Sequence, residues 1–256
     1  MGMLWLPRTC CDPCDSYEIR RVLGADKIDP PLTEFQDRSW EADFLSLSYL
    51  VDFARADWQG LAGAAENQPP EPGSDAEQRE LDSLLRMYEE ERAALIDDIK
   101  AQDTCFPYYF VHLLGMTDKS HPKTFLVLKI TAWCGEMAMV LFKRQKKRLR
   151  PSQIMPSLFP PVDFRHPSWP SGHAQNSHLM AHCAAAVRPE MRGVLTRLAD
   201  EIGRNREVAG LHFASDTNAG IELAGKLFDI IMGIPSIKQA IDDARTEWQP
   251  LKQAKD

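Results

Sequence analysis

The 256-residue chain lacks the apolar–polar alternation that marks strands, has no internal repeat, and has no long apolar run free of charge. The first absence points away from sheet-built domains and toward an all-α helical bundle. The most apolar stretch, residues 124–142, is interrupted by Lys129 and Glu136, and two charges there argue for a buried helix rather than a membrane span. The six cysteines form no regular disulfide framework, which fits a reducing compartment. Cys10, Cys11 and Cys14 have CxxC spacing, but no second Cys or His pair lies nearby, so they read as reduced thiols rather than a metal or redox site. The opening MGMLWLPRTCCDPCD has no charged start followed by a long apolar run and does not read as a signal peptide. The expected compartment is the cytoplasm, with no membrane contact. A positive balance is also lacking: 30 Lys and Arg stand against 37 Asp and Glu, a net charge of −7, so the chain as a whole is not a nucleic-acid binder.

What is present is an ordinary globular mixture, 44% hydrophobic and 26% charged. A chain this long buries roughly 70% of its unfolded surface, enough for a substantial core. Residues 1 to about 40 read as an irregular arm. Residues 41–66 carry Phe44, Leu47, Leu50, Val51 and Leu61 at helical spacing. The Pro-rich stretch 66–75 predicts an exposed loop, after which Ser74 is placed to cap a helix with Leu81, Leu84, Leu85 and Tyr88 on one face. A strong helix is predicted over 122–147, a Pro-rich irregular loop over 151–170, and further helices over 173–187, 189–210 and 213–232, followed by a polar helical tail. The expected division is an N-terminal arm and helices at 1–120, a core at 121–235 and the tail at 236–256.

Three segments carry chemistry. In the first, KRQKKRLRP at 143–151, six of eight residues are basic; alone this reads as a solvated face or a localisation tract. Lys143 and Arg150 are seven apart and share a face if the helix persists, with Pro151 ending it. In the second, HPSWPSGH at 166–173, Ser171 and Gly172 stand where a helix begins; there backbone N–H groups have no internal partner, and glycine lets an anion come close. The bland reading is a capped helix start. In the third, Arg206, His212 and Asp216, the four-residue His–Asp spacing lets a carboxylate hold one imidazole nitrogen while the other faces a substrate; alone such a pair is usually structural. Together the three supply three fixed cations, two helix-start donors and two imidazoles, His173 and His212. That combination suits a tetrahedral oxyanion and its trigonal-bipyramidal transition state. His178 and His182, also four apart, lack a third metal ligand and read as polar packing.

These segments resemble the signature of the type 2 phosphatidic acid phosphatase and vanadium haloperoxidase superfamily: Lys, six residues, Arg-Pro; Pro-Ser-Gly-His; and Ser-Arg, five residues, His, three residues, Asp. Asn205 stands where the usual serine precedes the arginine. The resemblance covers residues 143–216 and implies that Lys143, Arg150, Arg206, Ser171 and Gly172 bind the oxyanion. In a phosphatase, which needs no cofactor, it implies that His212 attacks phosphorus to form a phosphohistidine, that Asp216 orients it, and that His173 is the general acid and base on a small phosphorylated substrate. In a haloperoxidase it implies vanadate, with vanadium on His212 and His166 near the bound peroxide, acting on halide and hydrogen peroxide. The phosphatase is the first reading, the haloperoxidase the second, and a non-catalytic oxyanion binder the third; a homo-oligomer is open to the amphipathic helices.

Overall fold

The computed structural model describes residues 40–248, and the N-terminal arm with Cys10, Cys11 and Cys14 lies outside them. Every regular element among the described residues is helical, as the missing strand pattern predicts: α1 (Ala42–Arg55), α2 (Asp75–Glu90), α3 (Arg92–Leu113), α4 (Pro122–Lys146), the single turn α5 (Pro151–Ile154), α6 (Gly172–Val187), α7 (Arg192–Val208), α8 (Ala214–Gly233) and α9 (Pro235–Arg245).

α6 is the central helix. It is rich in alanine, and nearly all its residues are buried, including Gln175, Asn176, Ser177 and His178. It packs on α7, α8 and α4. Close approach is possible because its neighbours present glycines: a Cβ on Gly220 of α8 would lie 2.8 Å from Ser171 O and 3.0 Å from Gln175 N. A helix buried on all sides needs apolar or satisfied surfaces all round. Gln175 meets this by donating through Nε2 to Gly135 O of α4 at 2.9 Å, and Ser177 by donating to Ala174 O at 3.3 Å.

Ser74 caps α2 as predicted, its Oγ accepting from Glu77 N at 3.3 Å. Three features differ from the sequence reading. Helix α1 stops at Arg55, and Phe44, Leu47 and Val51 face outward while Ser46 and Phe53 are buried. Only part of the stripe at helical spacing is thus the outer face: Leu50 and Leu61 pack against the core, beside Phe53 stacked on Trp58. Helix α3, with Pro107 inside it, had no clear periodic signature. The C-terminal segment is more than a polar tail: α9 buries Ile237, Ile241 and Ala244. Pro235 opens α9 at its first turn, where its missing N–H costs no bond.

The segment 122–154 is long and apolar enough to cross a membrane by length and composition, with a mean hydropathy of 1.7 in its most apolar window, 56% of which is buried inside the protein. Its two charges are weaker obstacles than their count suggests. Lys129 is ion-paired with Asp43 at 2.7 Å, and burial raises the Glu136 carboxyl to about 7, against the pull of Lys143 and an Asn176 hydrogen bond.

Candidate active site

Helix α4 carries Lys143 in its last turn and ends at Lys147, which adopts a left-handed conformation with φ 54°. Lys143 and Arg150 therefore do not converge through a continuing helix. The chain has no regular structure from 148 to 150, Arg150 itself is extended, and Pro151 begins α5 rather than ending α4. Arg148 and Arg150 both turn inward, and Leu149 between them is exposed. Of the basic run, Arg144, Lys146 and Lys147 remain on the surface.

Arg150 is buried and joins two loops. Its Nη1 donates to Leu211 O at 2.7 Å and to His212 Nε2 at 2.9 Å. Its Nε donates to His166 O at 3.1 Å, and Nη2 lies 2.9 Å from His166 Nδ1. Because a guanidinium only donates, His212 Nε2 accepts, and the His212 proton sits on Nδ1. That nitrogen faces Asp216 Oδ2 at 3.5 Å, an ion-pair distance too long for a good hydrogen bond. Burial first, then Arg150 and Lys143, hold the His212 imidazole well below its ordinary pKa.

Asp216 is fully buried at the start of α8. Its Oδ1 accepts from Arg148 Nη1 at 2.7 Å; its Oδ2 accepts from Ser168 Oγ at 2.5 Å and Phe213 N at 3.0 Å. Arg148 also donates to Ser215 Oγ at 2.7 Å and to Glu80 Oε2 of α2 at 3.1 Å, and lies 3.7 Å over the Phe213 ring. Ser171 is the N-cap of α6: its Oγ accepts from Ala174 N at 3.4 Å, and its own N–H donates to Asp216 O at 2.9 Å. This cap leaves the N–H groups of Gly172 and His173 without an intrahelical acceptor. Gly172 packs against Met139.

Lys143 is placed otherwise than an anion contact would suggest. Its Nζ donates to three loop carbonyls, Pro167 O at 2.7 Å, Ser168 O at 2.9 Å and Pro170 O at 2.7 Å. All three ammonium protons are thereby used. Burial and Arg150 push its pKa well down. It pins the 167–170 loop and contributes charge at a distance.

The remaining predicted residues meet on α3. Arg206, fully buried, donates through Nη2 to Ile99 O at 2.5 Å and through Nη1 to Asp103 Oδ1 at 3.2 Å, while its buried Nε has no acceptor within the protein. His173 Nε2 lies 3.1 Å from Asp103 O, which fixes its proton there, and its ring sits 5.1 Å from that of Phe106. Burial, with Arg206 next, lowers His173 to about 3. His166 is at the surface beside Arg150 and is lowered to about 4 by desolvation and by Lys143 and Arg150. Burial raises the Asp103 carboxyl above its usual range, with Arg206 and Arg150 pulling the other way.

Arg148, Ser168, Glu80 and Asp103 were not singled out by sequence reasoning. For Arg148 a signal existed, since Arg148 and Arg150 are two apart beside a helix-ending turn. For Asp103 and Glu80 there was none. His178 and His182 do not share a partner: His178 faces Asp200 at 3.3 Å, and His182 packs on Phe228. Among the described residues no His, Cys, Asp and Glu group has metal-holding geometry.

Fold and site together define an all-helical protein in which cations and imidazoles from three chain segments converge near the start of one buried helix. No family model matches the chain. It is 26% identical over 193 residues to a non-specific acid phosphatase of Salmonella typhimurium, covering 70% of this chain and 77% of that one. It is 25% identical over 196 residues to a non-specific acid phosphatase of Providencia stuartii, covering 72% and 79%. Its fold is similar to that of a transmembrane PAP2-type phosphatidylglycerolphosphate phosphatase of Bacillus subtilis, with a TM-score of 0.50, 17% identity, and coverage of 81% of this chain and 98% of that one. These similarities support the resemblance to the type 2 phosphatidic acid phosphatase superfamily.

The structural neighbour overturns one expectation, that of a cytoplasmic chain. A protein with this fold is transmembrane, and the apolar segment dismissed on its two charges passes the length and composition test for a span.

Proposed function

We propose that the chain is a phosphoric monoester hydrolase that acts through a phosphohistidine at His212. What supports this reading above all is the contact of Arg150 Nη1 with His212 Nε2 at 2.9 Å, which sets an oxyanion-binding cation beside an unprotonated, nucleophilic nitrogen. The similarity to acid phosphatases supports the same substrate class, a small phosphorylated molecule.

In this mechanism the incoming phosphoryl group draws the Arg150 fork from His212 onto its own oxygens, exposing the Nε2 lone pair. Nε2 attacks phosphorus, the P–O bond to the leaving group breaks, and positive charge develops on the ring opposite Asp216. The N–H groups of Gly172 and His173, with the α6 dipole, stabilise the equatorial oxygens. His173 gives a proton to the leaving oxygen and then takes one from the water that hydrolyses the phosphohistidine, which returns His212 and releases phosphate. A His173 lowered to about 3 is a poor proton store at neutral pH, so the anionic guest must raise it.

A second reading has one observation in its favour, the position of His166 at 2.9 Å from Arg150. In that reading His212 and the same cations would hold vanadate in the phosphate place, and the group would supply peroxide activation for halide oxidation. One protein sample decides between them. Hydrolysis of p-nitrophenyl phosphate that persists in His166→Ala and vanishes in His212→Ala is the expected result. Bromination that requires vanadate and peroxide and is lost in His166→Ala reverses the assignment.

A further inference from the structure

One turn of α3 closes on the binding residues, although none of the sequence motifs lies on it. Ile99 O and Asp103 Oδ1 both accept from the Arg206 guanidinium, and Asp103 O accepts from His173. Among the described residues Asp103 is the one carboxylate paired with Arg206. Its side chain keeps 28% exposure, whereas Arg206 keeps none.

A carboxylate on a guanidinium makes the same charge-assisted contact as a phosphate oxygen. The Arg206 Nη1 N–H that Asp103 accepts cannot at the same time serve a guest oxygen. A guest either turns Asp103 away or binds beside a fixed negative charge. In the second case the repulsion grows with guest charge, twice as large for a dianion as for a monoanion at the same distance. Arg206 cannot turn toward the guest freely, since Ile99 O holds its other nitrogen.

We infer that Asp103 is a specificity residue of the oxyanion site: it holds Arg206 in the manner of a guest oxygen and sets the site against doubly charged oxyanions relative to singly charged ones. This deepens the phosphatase reading and rests on it for the nature of the guest.

The test is calorimetric binding of sulfate, a dianion that the chain cannot dephosphorylate, and of dimethyl phosphate, a monoanion. Wild type, Asp103→Asn and Asp103→Ala are compared, with p-nitrophenyl phosphate hydrolysis measured on the same samples. Both variants should bind sulfate about tenfold more tightly than wild type and dimethyl phosphate about threefold more tightly, because a removed unit charge acts twice on the dianion. The second variant guards against a folding defect in the first. Unchanged or weakened sulfate binding in folded variants, or an equal gain for both anions, overturns the inference and leaves the phosphatase reading standing if wild type hydrolyses the ester. Selective tightening in a chain that hydrolyses nothing upholds the inference and removes the phosphatase. Sulfate binding by none of the three proteins, together with no hydrolysis of the ester, overturns both.

Discussion

Asp216 illustrates how a single buried charge is made tolerable. A carboxylate with no solvent contact is costly unless its oxygens are filled, and Arg148, Ser168 and the Phe213 N–H fill them. Arg148 supplies the cation of the group, and its own side chain is only 8% exposed. Removing it leaves the Asp216 charge without its nearest counter-charge. Arg148→Gln should therefore cost about 3–5 kcal/mol of stability, as breaking one partner of a buried pair does. Turnover should fall about a hundredfold as Asp216 and the His212 ring lose their alignment. Arg148→Lys, which keeps the charge but not the fork, should recover part of both. Denaturant unfolding and kcat on the same proteins check this, and an Arg148→Gln variant with normal stability would show that Asp216 finds its compensation elsewhere.

At the scale of the element, two of the three glycines of α8 have opposite roles. Gly220 lies where α8 meets the start of α6, and a Cβ there would strike Ser171 O and Gln175 N, backbone atoms that cannot yield without moving a helix. Gly220→Ala should cost about 1–3 kcal/mol through overpacking and should lower kcat by shifting Ser171 and His173. Gly225 sits in the same helix with nothing within 4 Å of its Cβ, so Gly225→Ala should stabilise the protein by roughly 1 kcal/mol through helix propensity alone. Urea titration and turnover of the pair separate packing from propensity. The helices α4, α6, α7 and α8 were legible in the sequence because their boundaries are written locally, by Pro122, Ser171 and the proline-rich loop. The direction of the α1 stripe was not, since periodicity states that one face is apolar and is silent on what covers it. The binding motifs were legible as types and spacing. The actual partners were not: Lys143 spends its protons on loop carbonyls because the 167–170 turn happens to aim three of them at one point, and Asp103 arrives from α3 through packing that no local pattern encodes.

For the molecule as a whole, clustering cations around histidines has a consequence for acid stability. His173 is lowered to about 3, His166 to about 4, and His212 well below its ordinary value, in each case by burial first and by neighbouring Arg or Lys charges after it. A histidine with a folded pKa below its unfolded value of about 6.5 takes up its proton more readily when the chain unfolds, so stability is lost as pH falls below that value. Glu136, raised to about 7 by burial, works in the opposite sense: its proton is held by the folded chain, and its contribution is complete below about pH 4.5 and lost as pH rises through 7. His166 is exposed, so water screens its share. Asp103 and Glu207, also raised by burial, act with Glu136, and His178 and His182, also lowered by burial, act with the other three histidines. Five lowered histidines outnumber three raised carboxyls among the described residues, and the melting temperature should fall on acidification from about pH 7 to about pH 5. Sulfate remains doubly charged over that range. Bound among Arg150, Arg206 and His173, it should favour the protonated rings and raise the melting temperature more at the acid end than at neutrality. His173→Gln removes one of the titrating groups and should make the melting temperature less steep in pH. A scan of melting temperature against pH, with and without sulfate, reads all three effects, and a sulfate gain that is equal at both ends would place the anion away from these histidines.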